Sequence, residues 1–225
     1  MARFYTYKGK KLPSVTTITG QLDKPALMHW AVNCACDYMI QSIDSFDEPM
    51  VRTGSIYSVI EKARKNYRQV SKKAMDIGSQ GHAAIEHYLK TGKEPQNPPK
   101  EVEAAFLAFL EWLDNWDEWE TLKAEHTLYA DRYAGTCDWV CRLNEYIYII
   151  DFKAAKGIYP EYQYQIAAYR ACDPTIEGCG ILRLDKETGY PEWKDTSITY
   201  EQDLKVFNAL VELWYARNPG MEGGE

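Results

Sequence analysis

Three strand-like segments follow one another between Lys123 and Lys153. Lys123–Ala130 mixes apolar and polar positions, Tyr133–Leu143 alternates, and Tyr146–Lys153 is aromatic and β-branched almost throughout. Alternation predicts a strand with one covered face, whereas a nearly continuous apolar run predicts a central strand covered on both. Asn144-Glu145 supplies the tight turn between the last two segments. Helical periodicity surrounds this block. It predicts helices over Pro25–Ile40, Gly54–Val70, Lys72–Lys90, Glu101–Trp116, Pro160–Ala171 and Thr199–Arg217. Phe4–Tyr7 and the residues after Gly9-Lys10 form a small hairpin, with Ser14 placed to cap a helix. Ile181–Leu184 and Trp193–Ile198 complete the strands, and Asn218–Glu225 reads as a disordered tail.

Helices on both sides of a strand block predict an α/β fold. The 225 residues suit one domain, without internal repeat or linker. Residues 1–75 are expected to form a helical N-terminal extension, 76–217 the core and 218–225 a tail.

The apolar strand ends in Asp151-Phe152-Lys153. Residues two apart share a strand face, so Asp151 and Lys153 point one way and Phe152 the other. Pairing around Asn144-Glu145 brings Asp138 beside Asp151 on the neighbouring strand. Two carboxylates at a buried strand end repel each other and lose solvation, and a hard divalent cation with oxygen ligands relieves both costs. An ion pair at a strand end is the simpler alternative. The D/E-x-K pattern also occurs at Asp203-Leu204-Lys205, inside a predicted helix, and at Glu192-Trp193-Lys194, which no apolar strand precedes.

On the helix before the strands, His82 and Glu86 lie four apart and share a face, among the small residues Gly78, Gly81, Ala83 and Ala84. After the strands, Gln165 and Tyr169 have the same spacing. The net charge of −7 argues against a surface coated for duplex binding, though not against a local basic groove. Arg64, Lys65 and Arg68 sit in such a segment, Lys62–Lys73, which contains one acid-free run of cations; a solvated helix face is the plainer account. The many Tyr and Trp residues serve as core or as stacking surfaces for bases. Six cysteines without C-x-x-C spacing disfavour a zinc ribbon and suit a reducing cytoplasm. The polar start Ala2–Lys11 is unlike a secretory signal, and no apolar run reaches membrane-spanning length.

In order, the chain presents a His82 helix, a Glu125 strand, Tyr133-Ala134-Gly135-Thr136-Cys137-Asp138, Ile149-Ile150-Asp151-Phe152-Lys153 and the Gln165/Tyr169 helix. This succession resembles the PD-(D/E)XK nuclease superfamily, in particular its RecB-like branch. Pro13-Ser14-Val15-Thr16-Thr17-Ile18, followed by Pro25-Ala26-Leu27 and Trp30, is similar to the phage and mitochondrial exonuclease group. The resemblance implies a restriction-endonuclease-like core, with a central mixed sheet in αβββαβ order, and a metal-dependent DNA exonuclease of phage recombination or repair. It implies Mg²⁺ or Mn²⁺ held by His82, Asp138, Asp151 and the Phe152 carbonyl, with Glu86 as a further candidate ligand. Lys153 would orient or deprotonate water, and Glu125 would position water or a second metal. Gln165, Tyr169, Lys156, Arg64, Lys65 and Arg68 would support the lysine or the DNA. With Cys172 and Cys179 the only late cysteines, no iron–sulfur cluster is expected. DNA is the implied partner, with an annealing or recombination protein as a second and no membrane. CRISPR-associated or structure-specific endonucleases of the same branch, a non-cleaving DNA-binding module, and an unrelated α/β protein with surface ion pairs remain the alternatives.

Overall fold

A computed structural model describes residues 2–44, 53–186 and 188–221. The protein is α/β, with six α-helices and a five-stranded mixed sheet among these residues. The chain divides into two compact units: residues up to Leu22 together with those from Gln80 onward, and Asp23–Ser79.

In the first unit, β1 (Phe4–Tyr7) and β2 (Lys10–Pro13) form an antiparallel hairpin. Its turn places Lys8 and Gly9 at φ 48° and 78°. Two successive positive φ angles match the strand twist, and glycine takes the second without steric cost. Ser14 then caps α1 (Val15–Thr19), its hydroxyl accepting from the Thr17 N–H at 2.9 Å. The hairpin and α1 were expected in an extension outside the core. They join it instead, because Val15 and Ile18 are fully buried among Ile166, Phe207 and Val211, and Ser14 bridges to Ala134.

Helix α2 spans Pro25–Asp44 and α3 spans Thr53–Thr91. The expected loop Ser42–Thr53 falls mostly outside the described residues. The two helices expected over Gly54–Val70 and Lys72–Lys90 are one continuous helix. Neither proline nor glycine stands near Ser71 to stop propagation, and the interior glycines Gly78 and Gly81 cost only about 1 kcal/mol each. The boundary between the two compact units falls within α3, after Ser79.

Helix α4 (Lys100–Leu113) precedes β3 (Trp119–Tyr129), β4 (Ala134–Leu143) and β5 (Tyr146–Lys153). Helix α5 (Pro160–Arg170) then crosses to β6 (Gly178–Leu184), and β7 (Pro191–Asp195) and α6 (Tyr200–Arg217) follow. The sheet order is β3-β4-β5-β6-β7, antiparallel except for the parallel pair β5–β6. A parallel pair needs a crossover, and α5 provides it. Strand β3 starts four residues before its expected Lys123, since the Trp119 and Glu120 backbones pair with Leu143 and Arg142. A one-residue register shift between Thr121 and Lys123 absorbs Leu122 as a bulge.

Two apolar layers sandwich the sheet. One holds Ile149, Ile166, Ile181, Phe207 and Trp214; the other holds Phe109, Trp112, Trp139, Ile150, Phe152 and Leu182. Central strand β5 contributes to both, which is why its sequence is apolar at successive positions. Edge strand β7 ends at Asp195, three residues short of the expected Ile198, whose side chain is fully solvent-exposed.

Candidate metal and catalytic site

The site forms where the β4–β5 ladder stops. Pairing runs from Leu143 opposite Tyr146 up to Trp139 opposite Ile150. One step further, at Asp138, a side chain takes over: its Oδ2 accepts the backbone N–H of Phe152 at 2.7 Å. The facing of β4 also changes there. Cys137 packs in one apolar layer and Trp139, two residues on, in the other. Regular alternation would place both in the same layer. Opposite this point on β3, between the pairs Ala124–Trp139 and His126–Cys137, Glu125 has φ 49°. A left-handed glutamate inside a strand is a strained conformation, of the kind concentrated at functional sites.

This distortion gathers ligands. His82, Glu125 and Asp138 each offer one donor atom, and the three atoms lie within 4.8 Å of one another. His82 Nδ1 is 3.3 Å from Asp138 Oδ1. Its helix seats it by packing Ile85 into the apolar layer, and its ring stands edge-on to Phe152 at 6.0 Å. Burial disfavours the charged His82 imidazole, but the Asp138 carboxylate outweighs it and raises the pKa. Burial likewise opposes ionisation of Asp138. His82, Lys153 and the Phe152 N–H overcome it and hold the carboxyl below the usual range. Glu125 is pushed up by burial and by the carboxylates of Asp138 and Glu86.

Asp151 belongs to a second, adjoining group. Gln165 Nε2 donates to Asp151 Oδ1 at 2.9 Å and to the Tyr169 hydroxyl at 3.2 Å. Lys153 Nζ lies 2.5 Å from Asp151 Oδ2, and 3.4 Å from Gln165 Oε1, to which it donates. The contact with Oδ2 is a buried ion pair. Burial pushes Asp151 up to about 6 despite the neighbouring ammonium. For Lys153, burial favours the neutral amine, but Asp151 and Asp138 prevail and raise its pKa. Tyr162, one turn before Gln165 on α5, places its ring under the ammonium at 4.9 Å. The sequence signal for Tyr162 is its i,i+3 spacing to Gln165. Gly135 lets Tyr169 sit this close, since a Cβ there would lie 2.4 Å from the Tyr169 ring.

These residues fit a divalent cation. Three anionic or imidazole donors converge, and Asp151, whose Oδ2 pairs with the Lys153 ammonium, lies beside them. A mixed imidazole and carboxylate set suits Mn²⁺ at least as well as Mg²⁺. The other expected residues stand apart from the cluster or in other surroundings. Glu86 pairs with Lys90 at 2.5 Å, near enough to Glu125 to raise its pKa. The group of Phe152 tied to a site carboxylate is its N–H. Lys156 is exposed on the loop after β5. Arg64, Lys65 and Arg68 belong to the unit Asp23–Ser79, where Arg64 pairs with Glu61 at 2.7 Å and Arg68 donates to the Tyr67 hydroxyl.

No family model and no curated protein matches the chain. Among solved structures, one described as the crystal structure of SSO0001 is similar, with 10% sequence identity and a TM-score of 0.29. The match covers 82% of this chain and 86% of that one. At that score the likeness carries no argument, and the α/β architecture rests on the sheet itself. Among the described residues no helix is long and apolar enough to cross a membrane.

Proposed function

We propose that this protein is a metal-dependent deoxyribonuclease with a restriction-endonuclease-like core, of the RecB-like PD-(D/E)XK type, acting at DNA ends. One observation carries the reading: His82, Glu125 and Asp138 converge on a common point beside the Asp151–Lys153 ion pair. These residues come from a helix and three strands, so sequence proximity does not explain their meeting. A strand-end ion pair alone accounts for neither the histidine nor the strained glutamate.

Hydrolysis of a phosphodiester needs a nucleophilic water in line with the leaving 3′-oxygen and relief of charge on the phosphoryl oxygens. His82, Asp138 and Glu125 would hold the cation, joined by Asp151 if its Oδ2 exchanged the Lys153 contact for the ion. A divalent cation there supplies Lewis-acid relief of the phosphate charge and makes water a nucleophile at neutral pH. Lys153, whose charged form Asp151 and Asp138 favour, would steady the developing charge on the phosphoryl oxygens or orient the attacking water. Gln165 fixes the Asp151 carboxylate and, with Tyr162, the direction of the ammonium. The attacking water would give up its proton to solvent and the departing 3′-oxygen would take one up from it, which leaves 5′-phosphate and 3′-hydroxyl ends.

The test is digestion of end-labelled single- and double-stranded DNA in Mg²⁺ or Mn²⁺ by wild type and Lys153→Ala. The expected result is metal-dependent degradation by wild type, at least about 100-fold slower in the variant, and no cutting of circular single strands. Equal degradation by both proteins rejects the assignment.

A further inference from the structure

A second feature lies along β3 from the cluster. Tyr129 lies four positions beyond Glu125, about 13 Å along the strand. Between them, Thr127 and Thr136 pair across β3 and β4, and their hydroxyls are 3.3 Å apart. Thr136 Oγ1 is in turn 3.1 Å from the hydroxyl of Tyr5 on the hairpin. Beyond them, Tyr7 of β1 stacks on Tyr129 with ring centroids 4.4 Å apart and planes 15° from parallel, and Tyr5 stands edge-on to Tyr129 at 6.4 Å. Three tyrosines thus form a continuous aromatic surface anchored on the sheet, and Tyr129 remains 37% exposed.

Its charge is unlike that of the rest of the chain. The protein carries −7 overall, yet Ala2–Leu22 contains Arg3, Lys8, Lys10 and Lys11 and no acidic residue. All four cations are exposed. Three of them cover rings of the hairpin: Arg3 over Tyr5 at 5.0 Å, Lys8 over Tyr7 at 5.1 Å and Lys11 over Phe4 at 4.4 Å. Flexible cations resting on aromatic faces are partners that a stacked base can displace, after which the same ammonium or guanidinium meets the phosphate. A polyanion with flat faces is the ligand that uses both features at once. An acidic protein surface would use only the charges, and a duplex offers no free base faces.

We propose that the tyrosine surface of the β1–β2 hairpin and β3 is a stacking platform for single-stranded DNA. Bases stack on Tyr7 and Tyr129, while Arg3, Lys8 and Lys11 hold the flanking phosphates. The strand then runs along Thr127 and Thr136 toward the carboxylate cluster. This inference rests on the nuclease reading for the fate of the strand, but binding is measured apart from cleavage.

The experiment is fluorescence anisotropy of a labelled oligothymidine with the full chain in EDTA, so that no cleavage occurs. The same strand with abasic residues keeps the phosphates and removes the bases. Wild type is expected to bind the normal strand at least about fivefold more tightly than the abasic one, the lower end of what one stacked base contributes. Tyr7→Ala and Tyr129→Ala should each lose a similar factor on the normal strand and little on the abasic strand. Tyr7→Phe, which retains the ring, should bind as wild type does. Thermal melting verifies that each variant is folded, and for a variant that is not, the two-strand comparison on wild type decides. Equal binding of normal and abasic strands, or folded alanine variants with wild-type affinity, overturns the platform. Metal-dependent degradation that Lys153→Ala abolishes, seen beside such a result, leaves the nuclease reading standing. Absence of both binding and degradation removes both.

Discussion

Asp138 accepts the backbone N–H of Phe152 at 2.7 Å, at the step where β4 and β5 cease to pair. One carboxylate therefore has two tasks. Its Oδ2 completes a broken ladder, and its Oδ1 faces His82. The two tasks separate by substitution. Asp138→Asn keeps an oxygen for the Phe152 N–H and loses the charge, so it should melt close to wild type in EDTA while losing Mn²⁺ affinity. Asp138→Ala strands a partly buried donor, and an unmet donor costs about 1–3 kcal/mol. It should melt several degrees lower and also fail to bind the ion. Melting curves and calorimetric Mn²⁺ titration check both statements. Equal melting of the Asn and Ala variants would count against the structural task.

Glu125 stores strain in its backbone and repulsion in its side chain. Burial, Asp138 and Glu86 raise its pKa above the usual 4.5. A carboxyl whose folded pKa is raised stabilises the fold below its unfolded pKa, and that contribution is lost as pH climbs through the folded value. Glu125→Gln removes the ionisation. In EDTA it should therefore melt like wild type at pH 4 and above wild type at neutral pH. Glu125→Asn additionally suits φ 49°, because asparagine tolerates the left-handed region that costs other residues about 1 kcal/mol. It should melt higher than the Gln variant at every pH. Neither variant should bind Mn²⁺ as wild type does, a trade of stability for function of a familiar sort. A lower melting point for Glu125→Asn at neutral pH would refute the strain argument.

The uneven legibility of these residues in the sequence has physical causes. β5 was readable because a strand covered on two sides must be apolar at successive positions, so the charges at Asp151 and Lys153 stood out. The turn at Asn144-Glu145 then set the β4 register and brought Asp138 level with Asp151. His82, Gln165 and Tyr169 were readable as helical pairs at four-residue spacing. The left-handed Glu125 and the reversed facing at Asp138 were not readable, because tertiary packing imposes both against local preference. The grouping of the acids was not readable either. Spacing placed Asp151 among the ligands, but it cannot show that Gln165 and Lys153 engage that carboxylate while Glu125 joins His82 and Asp138. The break expected between Val70 and Lys72 is absent because no residue in that stretch stops a helix.

Lys153 and Asp151 are mutually dependent. Removing the ammonium leaves a buried carboxylate with no cation, and breaking a buried pair from one side costs about 3–5 kcal/mol. Asp151 already sits near pKa 6, so it escapes that cost by taking up a proton in acid. Its stabilising protonated form is present below the unfolded aspartate pKa and is lost as pH rises through the folded value. Lys153→Met in EDTA should therefore be much less stable than wild type at pH 8 and close to it at pH 4. Lys153→Met with Asp151→Asn should recover most of the loss at pH 8. Chemical denaturation across this pH range measures the effect, and a Lys153→Met deficit that does not change with pH would disprove the coupling.

A cation that binds the native site and not the unfolded chain stabilises the protein by mass action, by about 2.7 kcal/mol at a hundred times its dissociation constant. Mn²⁺ should raise the melting temperature of wild type by several degrees, and EDTA should reverse the rise. Mg²⁺ should need higher concentrations for the same shift, since it prefers oxygen ligands and dehydrates reluctantly whereas one donor here is an imidazole. His82→Ala should narrow the difference between the two ions by removing that nitrogen. Glu86→Gln should leave most of the Mn²⁺ shift in place, because Glu86 is engaged with Lys90 and contributes charge near Glu125 rather than a donor atom in the cluster. A thermal-shift series in the two ions resolves these cases. An Mn²⁺ shift abolished by Glu86→Gln but kept in His82→Ala would place the ion elsewhere, on the α3 carboxylate, and the site would have to be redrawn around Glu86.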